Sequence, residues 1–159
     1  VEDGLTQGTV TNIYQDTDGY LWLGTQGGLH RYDGYEFKVF KNNPTDSCSL
    51  TDNNVLDIGE DKNKNIWVIT DNGVHKITHQ TGKIKRYYVK ETRFMHCCML
   101  SQSGDFFLAG EKFIYQYDEQ GDSLVFLVAL HRFQLDVALV HKVFQGGIDS
   151  LGRIVPSGA

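Results

Sequence analysis

No stretch of this sequence is long and apolar enough to cross a bilayer as a helix. The longest uninterrupted apolar run, Leu124 to Leu130, has seven residues, against the roughly 20 that a membrane-spanning helix needs. Blocks of like charge are missing too. The formal net charge of −5 is spread along the chain, which leaves no electrostatic footprint for a phosphate backbone or an anionic lipid surface, so no nucleic acid and no membrane contact is expected. Cysteine is scarce: Cys48, Cys97 and Cys98 are odd in number and show no zinc-ligand spacing, which argues against a disulfide framework and against a zinc site. In a strand the adjacent Cys97 and Cys98 would point to opposite faces, and at least one is expected to pack as a small buried hydrophobe. The opening residues Val1-Glu2-Asp3-Gly4 have neither the basic nor the apolar region of a signal peptide, so a leader is expected to be absent or already removed. Helical periodicity is lacking as well, since no unit places apolar residues at i, i+3, i+4 and i+7. There is no nucleophile elbow, phosphate-binding loop or dinucleotide fingerprint at a strand-to-helix junction.

What the chain does have is order and repetition. Its 40% apolar and 12% aromatic content belongs to a packed protein rather than a disordered one. The segment Asp16-Thr17-Asp18-Gly19-Tyr20-Leu21-Trp22-Leu23-Gly24-Thr25 returns in degenerate form from Asp61 to Thr70, from Ser101 to Gly110 and from Asp149 to Gly158. Trp22, Trp67, Phe107 and Val155 are then equivalent, with spacings of 45, 40 and 48 residues, the length of one four-stranded β-propeller blade. In the first unit Thr9 to Gln15, Tyr20 to Thr25, Gly28 to Tyr32 and Tyr35 to Phe40 read as four strands. Asp16 to Gly19, Gln26-Gly27 and Asp33-Gly34 supply the turns between them. Asn72-Gly73, Thr81-Gly82 and Gln120-Gly121 repeat the turn chemistry further on.

The expected fold is therefore all-β: a partial propeller of about three and a half four-stranded antiparallel blades in one domain over 1–159. The blades are expected at about 5–40, 50–89 and 93–130, with a half blade at about 137–159. Val10 and Ile13 match Val55 and Ile58, and Met95 and Cys98. That spacing of three breaks strict alternation and predicts a bulge in each inner strand, with Cys98 in a packing role. In Leu29 to Asp33 alternation is regular, placing Leu29 and Arg31 on one face and His30 and Tyr32 on the other. The two tryptophans are expected to be core between blades rather than ligand platforms.

The pattern V-x-x-I-x-x-D-x-x-G-x-L-W-x-G-T-x-x-G-L-x-x-Y-D over Val10 to Asp33 resembles the two-component regulator propeller repeat. The opening Val1 to Thr6 and the linker Lys41 to Asn54 look like the start of the sensor region of hybrid two-component system regulators from Bacteroidetes. The likeness is strongest over residues 1 to 90, moderate over 91 to 120, where Phe107 replaces the tryptophan, and weak beyond, where Val155 replaces it and Gly146 stands in the place of Ile13. The resemblance implies paired propellers outside the cytoplasmic membrane, hence a periplasmic location. It further implies sensing of glycan fragments and relay to an intracellular histidine kinase; the kinase, receiver and DNA-binding parts of that family have no counterpart in these residues.

Candidate chemistry is thin. Asp16, Asp61 and Asp149 recur, but the D-x-D-G of Asp16 to Gly19 lacks the later ligand positions of an EF-hand loop, and turn capping is the expected role. His30 and His75 are equivalents on neighbouring blades, and His96, His131 and His141 share no ligand spacing. No metal, cofactor or catalytic residue is expected. Binding is better supported, because a propeller gathers loops from successive blades on one face. The loops between second and third strands and those joining blades share a face. This puts Gln26, Asp71, Asn72, Glu111 and Lys112 near one entrance together with the linker Lys41 to Asn54, where they would hydrogen-bond an oligosaccharide or serve only as solvated turns. A protein-interaction scaffold is the alternative function and a glycan-cleaving propeller enzyme a weaker one. Since a propeller needs at least four blades to close, self-association or the remaining blades of a longer chain are expected to cover the open sheet faces.

Overall fold

The computed structural model describes residues 9–89, 95–110 and 113–129. These form twelve strands and no helix. The first sheet contains β1 (Val10–Gln15), β2 (Leu21–Thr25), β3 (Gly28–Tyr32) and β4 (Phe37–Phe40); the second β5 (Val55–Glu60), β6 (Ile66–Thr70), β7 (Gly73–Ile77) and β8 (Ile84–Tyr87); the third β9 (Met95–Leu100), β10 (Phe106–Gly110), β11 (Phe113–Asp118) and β12 (Ser123–Ala129). Each sheet is an antiparallel meander in chain order, and β5 lies between β1 and β9. The chain is thus an all-β partial propeller. The half blade expected at 137–159, with Asp149 and Val155, lies outside the described residues, as do His131 and His141.

One device closes the first hairpin of every sheet. The Asp16 carbonyl accepts the Gly19 N–H at 3.0 Å while the Asp16 N–H donates to the Tyr20 carbonyl at 3.0 Å, and the same pair of bonds joins Asp61 with Lys64 and Asn65, and Ser101 with Gly104 and Asp105. This geometry drives the fourth turn residue to positive φ: 93° at Gly19, 63° at Lys64 and 88° at Gly104. The capping role expected of the recurring acids is present at Asp16 and Asp61. One oxygen of Asp16 accepts the N–H of Asp18 at 3.1 Å and of Tyr20 at 2.9 Å, and the other accepts the Trp22 indole N–H at 2.7 Å. Asp61 repeats this with Asn63, Asn65 and the Trp67 indole at 2.9, 2.9 and 2.8 Å. In the third sheet the hydroxyl of Ser101 accepts the Asp105 N–H at 3.0 Å. The aromatic there is Phe107, which has no N–H to satisfy, so a hydroxyl suffices where an indole demands a carboxylate.

The outer strand of the first sheet begins at Phe37 rather than at the expected Tyr35. The Asp33 carboxylate accepts the N–H groups of Tyr35 at 2.8 Å and Glu36 at 2.9 Å, which commits those amides to the turn and withholds them from the ladder. The expected bulges are all present. Val10 pairs Thr25 but Asn12 pairs Gly24; Val55 pairs Thr70 but Asp57 pairs Ile69; Met95 pairs Gly110 but Cys97 pairs Ala109. Thr11, Leu56 and His96 are the extra residues, and each resets the alternation between the two apolar positions around it.

Packing between sheets supplies the core. Trp22 and Leu29 of the first sheet meet Val55, Ile58, Val68 and Ile77 of the second. On the second sheet's other face Trp67, Ile69 and Val74 meet Met95, Phe106 and Leu108 of the third. Trp67 is fully buried, with ring centroids 5.0 Å from Tyr87, 5.0 Å from Phe106 and 4.7 Å from Tyr117. The tryptophans are core between blades, as aromatic area and offset stacking favour.

Candidate functional site

Along an antiparallel meander, successive turns alternate between the two ends of the sheet. The β2–β3 and β6–β7 turns therefore share one face of the stack with the inter-sheet linker, and carry Gln26, Asp71 and Asn72, all exposed. Each turn is braced from beneath by a buried threonine: Thr25 Oγ1 donates to the Gly28 carbonyl at 2.8 Å and Thr70 Oγ1 to the Gly73 carbonyl at 3.2 Å. Asp71 is tied to the linker, accepting the Asn54 side-chain N–H at 2.8 Å and donating its own amide to the Asn54 carbonyl at 3.2 Å. No hydrogen bond joins Gln26 to Asp71 or Asn72, and Glu111 and Lys112 lie outside the described residues.

The linker is folded against the second sheet. The Arg86 guanidinium donates to the Ser49 carbonyl at 2.8 Å, the Asp46 carbonyl at 2.8 Å and Ser49 Oγ at 2.9 Å, while Leu50 is fully buried. His75 Nε2 accepts the Thr51 N–H at 2.9 Å. The bond requires a neutral imidazole, and burial brings the His75 pKa down to about 4. Much of the linker's polarity is thus spent on its own backbone, including Asn43 Oδ1 with the Thr45 N–H and Asp46 Oδ1 with the Cys48 N–H.

Among the described residues, cavities open on the opposite face, formed by the Asp-capped turns and the β3–β4, β7–β8 and β11–β12 hairpins. One of about 490 Å³ opens beside the inner strands, lined by Tyr14, Thr17, Glu60, Cys98 and Leu100 among others. There the Glu60 carboxylate takes the Thr17 N–H at 2.9 Å and hydroxyl at 2.7 Å. Burial first, then the Glu60 charge, raises the Tyr14 pKa. Above it Asp57 bridges three strands, accepting from the Asn12 side chain at 2.8 Å and from the Cys98 N–H at 2.8 Å. Burial, helped by the Asp57 charge, raises the pKa of both Cys97 and Cys98, so the thiols stay protonated and unreactive. Cys98 packs against the core between the second and third sheets. A second cavity of about 380 Å³ lies between the second and third sheets beside Asn63, Asp105, Gln116 and Gln120, and a third of about 180 Å³ between the first and second. None of the three is lined by Gln26, Asp71 or Asn72. Among the described residues no three His, Cys, Asp or Glu side chains stand together as metal ligands.

Electrostatically the two inter-sheet grooves differ. Between the second and third sheets the Asp122 carboxylate is bonded by Lys76, Lys85, Tyr87 and, at 2.7 Å, Tyr117. Although desolvation pushes the other way, these four donors hold Asp122 well below the usual carboxylate range. Burial and the bond to Asp122 raise Tyr87 far above an ordinary tyrosine. Between the first and second sheets, Arg31 lies 4.5 Å from the Tyr20 ring centroid and Lys38 5.2 Å from that of Phe40, and among the described residues neither forms an ion pair with a carboxylate. Sequence reasoning centred on the tryptophan segments passed over these residues. Aligning the third-to-fourth-strand hairpins would have shown them, since Asp122 falls where Gly82 stands one blade earlier.

Stacked meanders joined through aromatic cores define a propeller segment. More specifically, residues 4–27 and 49–72, which include β1 and β2 of the first sheet and β5 and β6 of the second, match the two-component regulator propeller family. Histidine kinase P4 of Formosa agariphila is 51% identical to this chain over 49 residues, which is 31% of the chain and 4% of that protein. The extracellular domain of a hybrid two-component system from B. thetaiotaomicron has a TM-score of 0.62 at 22% identity, over 82% of this chain and 17% of that one. Virginiamycin B lyase of Staphylococcus aureus has a TM-score of 0.60 at 18% identity, over 78% of this chain and 43% of that one. At these identities the structural likenesses speak to the fold alone, and the chain spans well under half the length of each relative.

Proposed function

We propose that this chain is a non-catalytic, ligand-sensing part of a hybrid two-component system sensor, exposed in the periplasm, that responds to glycan fragments and relays the signal to a kinase. The observation that supports this most directly is the match of residues 4–27 and 49–72 to the regulator propeller repeat, each segment carrying the same Asp-to-indole clamp, at 2.7 and 2.8 Å. The histidine kinase of Formosa agariphila, with its 51% identical segment, supports the signalling context. A thermal-shift screen against a panel of oligosaccharides tests the reading, because a ligand that binds the folded state alone raises the melting temperature by mass action. A concentration-dependent rise with one oligosaccharide class is expected; a flat response across the panel would remove the sensing role. Product analysis of the same mixtures checks the absence of cleavage, and consumption of the oligosaccharide would make the chain an enzyme.

A second reading, an interaction scaffold, is favoured by the apolar residues that the first sheet leaves exposed: Ile13 is 66% and Val39 37% accessible. Such residues suit a further sheet, from a second copy or from more blades. Light scattering on the purified chain distinguishes these, since a well-dispersed monomer would count against self-association.

A further inference from the structure

We infer that the groove between the first and second sheets is a binding site for a carboxylate-bearing ligand, with Arg31 and Lys38 as the groups that receive the carboxylate. The argument comes from reading one groove against the other. Strand register makes Arg31 and Lys38 a cross-strand pair in the first sheet and Lys76 and Lys85 the same pair in the second, with Phe40 and Tyr87 equivalent beside them. In the next sheet along, Asp122 sits two residues before Leu124, the partner of Tyr117, and Gly82 sits two residues before Ile84, the partner of Ile77. Both residues have positive φ, 45° and 64°. The two grooves are thus built alike, but one contains an internal acid and the other a glycine.

Where the acid is present, it takes both cations of the preceding sheet. Where glycine replaces it, a Cβ would meet nothing within 4 Å, and Gly82, Arg31, Lys38 and Phe40 border the cavity of about 180 Å³. Arg31 Nε is buried there without a hydrogen-bond partner. Its guanidinium is held by the rings of Tyr20 and Trp22, 4.5 and 5.8 Å from their centroids. The acids nearby are committed elsewhere. Asp16 holds its turn and the Trp22 indole, Asp18 pairs with Lys64 at 2.6 Å and faces His79 at 3.5 Å, and Asp33 is exposed and bonded to its own turn amides, feeling the Arg31 charge without an ion-pair contact. Two cations, one with a planar fork suited to two parallel bonds, border a space in which glycine stands where the other groove has its carboxylate.

Size narrows the ligand. At about 180 Å³ the space lies below the ~300 Å³ at which pockets hold whole drug-sized molecules, so it admits a carboxylate and the edge of the ring that bears it. Resting on the sensing reading for its sugar part, the inference names uronic acids, in which a pyranose carries one carboxylate, as the ligand class. The carboxylate requirement itself rests on the two grooves alone.

The test is calorimetric titration of D-glucuronate, acetate and D-glucose into the wild-type chain, Gly82→Asp and Arg31→Gln. Glucuronate should bind the wild type and glucose should not, and Gly82→Asp, which restores the internal acid, should weaken glucuronate by at least about tenfold while raising the melting temperature. Arg31→Gln should weaken binding similarly with no such rise. Acetate that binds with the same sensitivity to Gly82→Asp assigns recognition to the carboxylate itself. The reciprocal change, Asp122→Gly, should add a second binding equivalent. Failure of glucuronate to bind the wild type, or binding unchanged in both Gly82→Asp and Arg31→Gln, overturns the inference. Neutral oligosaccharides that stabilise wild type and Gly82→Asp equally would leave the sensing role standing while this site falls.

Discussion

The first and second sheets follow one strand pattern yet sit in different surroundings. Every residue of β6 and β7 is buried, whereas β1 alternates between half-buried and exposed positions. The contrast is sharpest at equivalent isoleucines: Ile58 is 4% accessible and Ile13 66%. The first-hairpin turns, bulges and indole clamps are the same in both, so the local pattern is shared, and the neighbour on each side decides how much each sheet contributes to stability.

Replacing tryptophans is the strongest way to break this comparison. Trp67→Ala should cost about 3–5 kcal/mol, because it removes the ring that joins Tyr87, Phe106 and Tyr117. Trp22→Ala should cost measurably less, since among the described residues Trp22 stacks on one ring, Phe40 at 5.7 Å, beside the Arg31 guanidinium. Urea denaturation of both variants would expose equal losses if neighbours did not matter. Next in size, Ile58→Ala should cost about 2–4 kcal/mol and Ile13→Ala less than about 0.5; a comparable loss at Ile13 would mean its side is covered in solution.

Acid should act mainly through the second sheet. His75 is neutral in the folded state down to about pH 4, while in the unfolded chain it protonates near its ordinary value of about 6.5. Stability contributed by the neutral ring is therefore complete above about pH 6.5 and falls as pH drops from there towards 4, by up to roughly 3 kcal/mol. His75→Gln should flatten the denaturation midpoints across that window, leaving the weaker dependence from His30, whose pKa burial also lowers. The smallest expected effect lies in the capped turns. Gly19→Ala, at φ 93° with free space around a Cβ, should cost about 1 kcal/mol of backbone strain. A loss much above that would show that the turn is crowded in a way its exposed setting does not indicate.

Much of the architecture was legible because it is local. Period-two alternation, the Asp-to-Gly turns and the three-residue spacing of Val10 and Ile13 each report on a few adjacent residues, and these gave strands, hairpins and bulges close to those observed. Contacts between sheets were harder to read. Asp16 was read as a turn acid and Trp22 as core, and nothing in either reading joined them, since a six-residue separation becomes a hydrogen bond only after the hairpin folds. The linker residues read as candidate binding groups, yet Arg86, some 40 residues downstream in sequence, occupies several of their carbonyls. Asp122 was overlooked because its significance depends on two lysines one blade earlier.

The inner strands carry a further implication. Thr11 Oγ1 donates to the Val55 carbonyl at 3.0 Å, Asp57 receives the Cys98 amide at 2.8 Å, and Glu60 receives the Thr17 amide at 2.9 Å, so three of the ties between neighbouring sheets end on main chain at one side. A fastening of that kind is indifferent to the side chain opposite it. The third sheet has phenylalanine for tryptophan and serine for aspartate and is still tied to the second through the Cys98 amide, which leaves the outer grooves to differ one from the next.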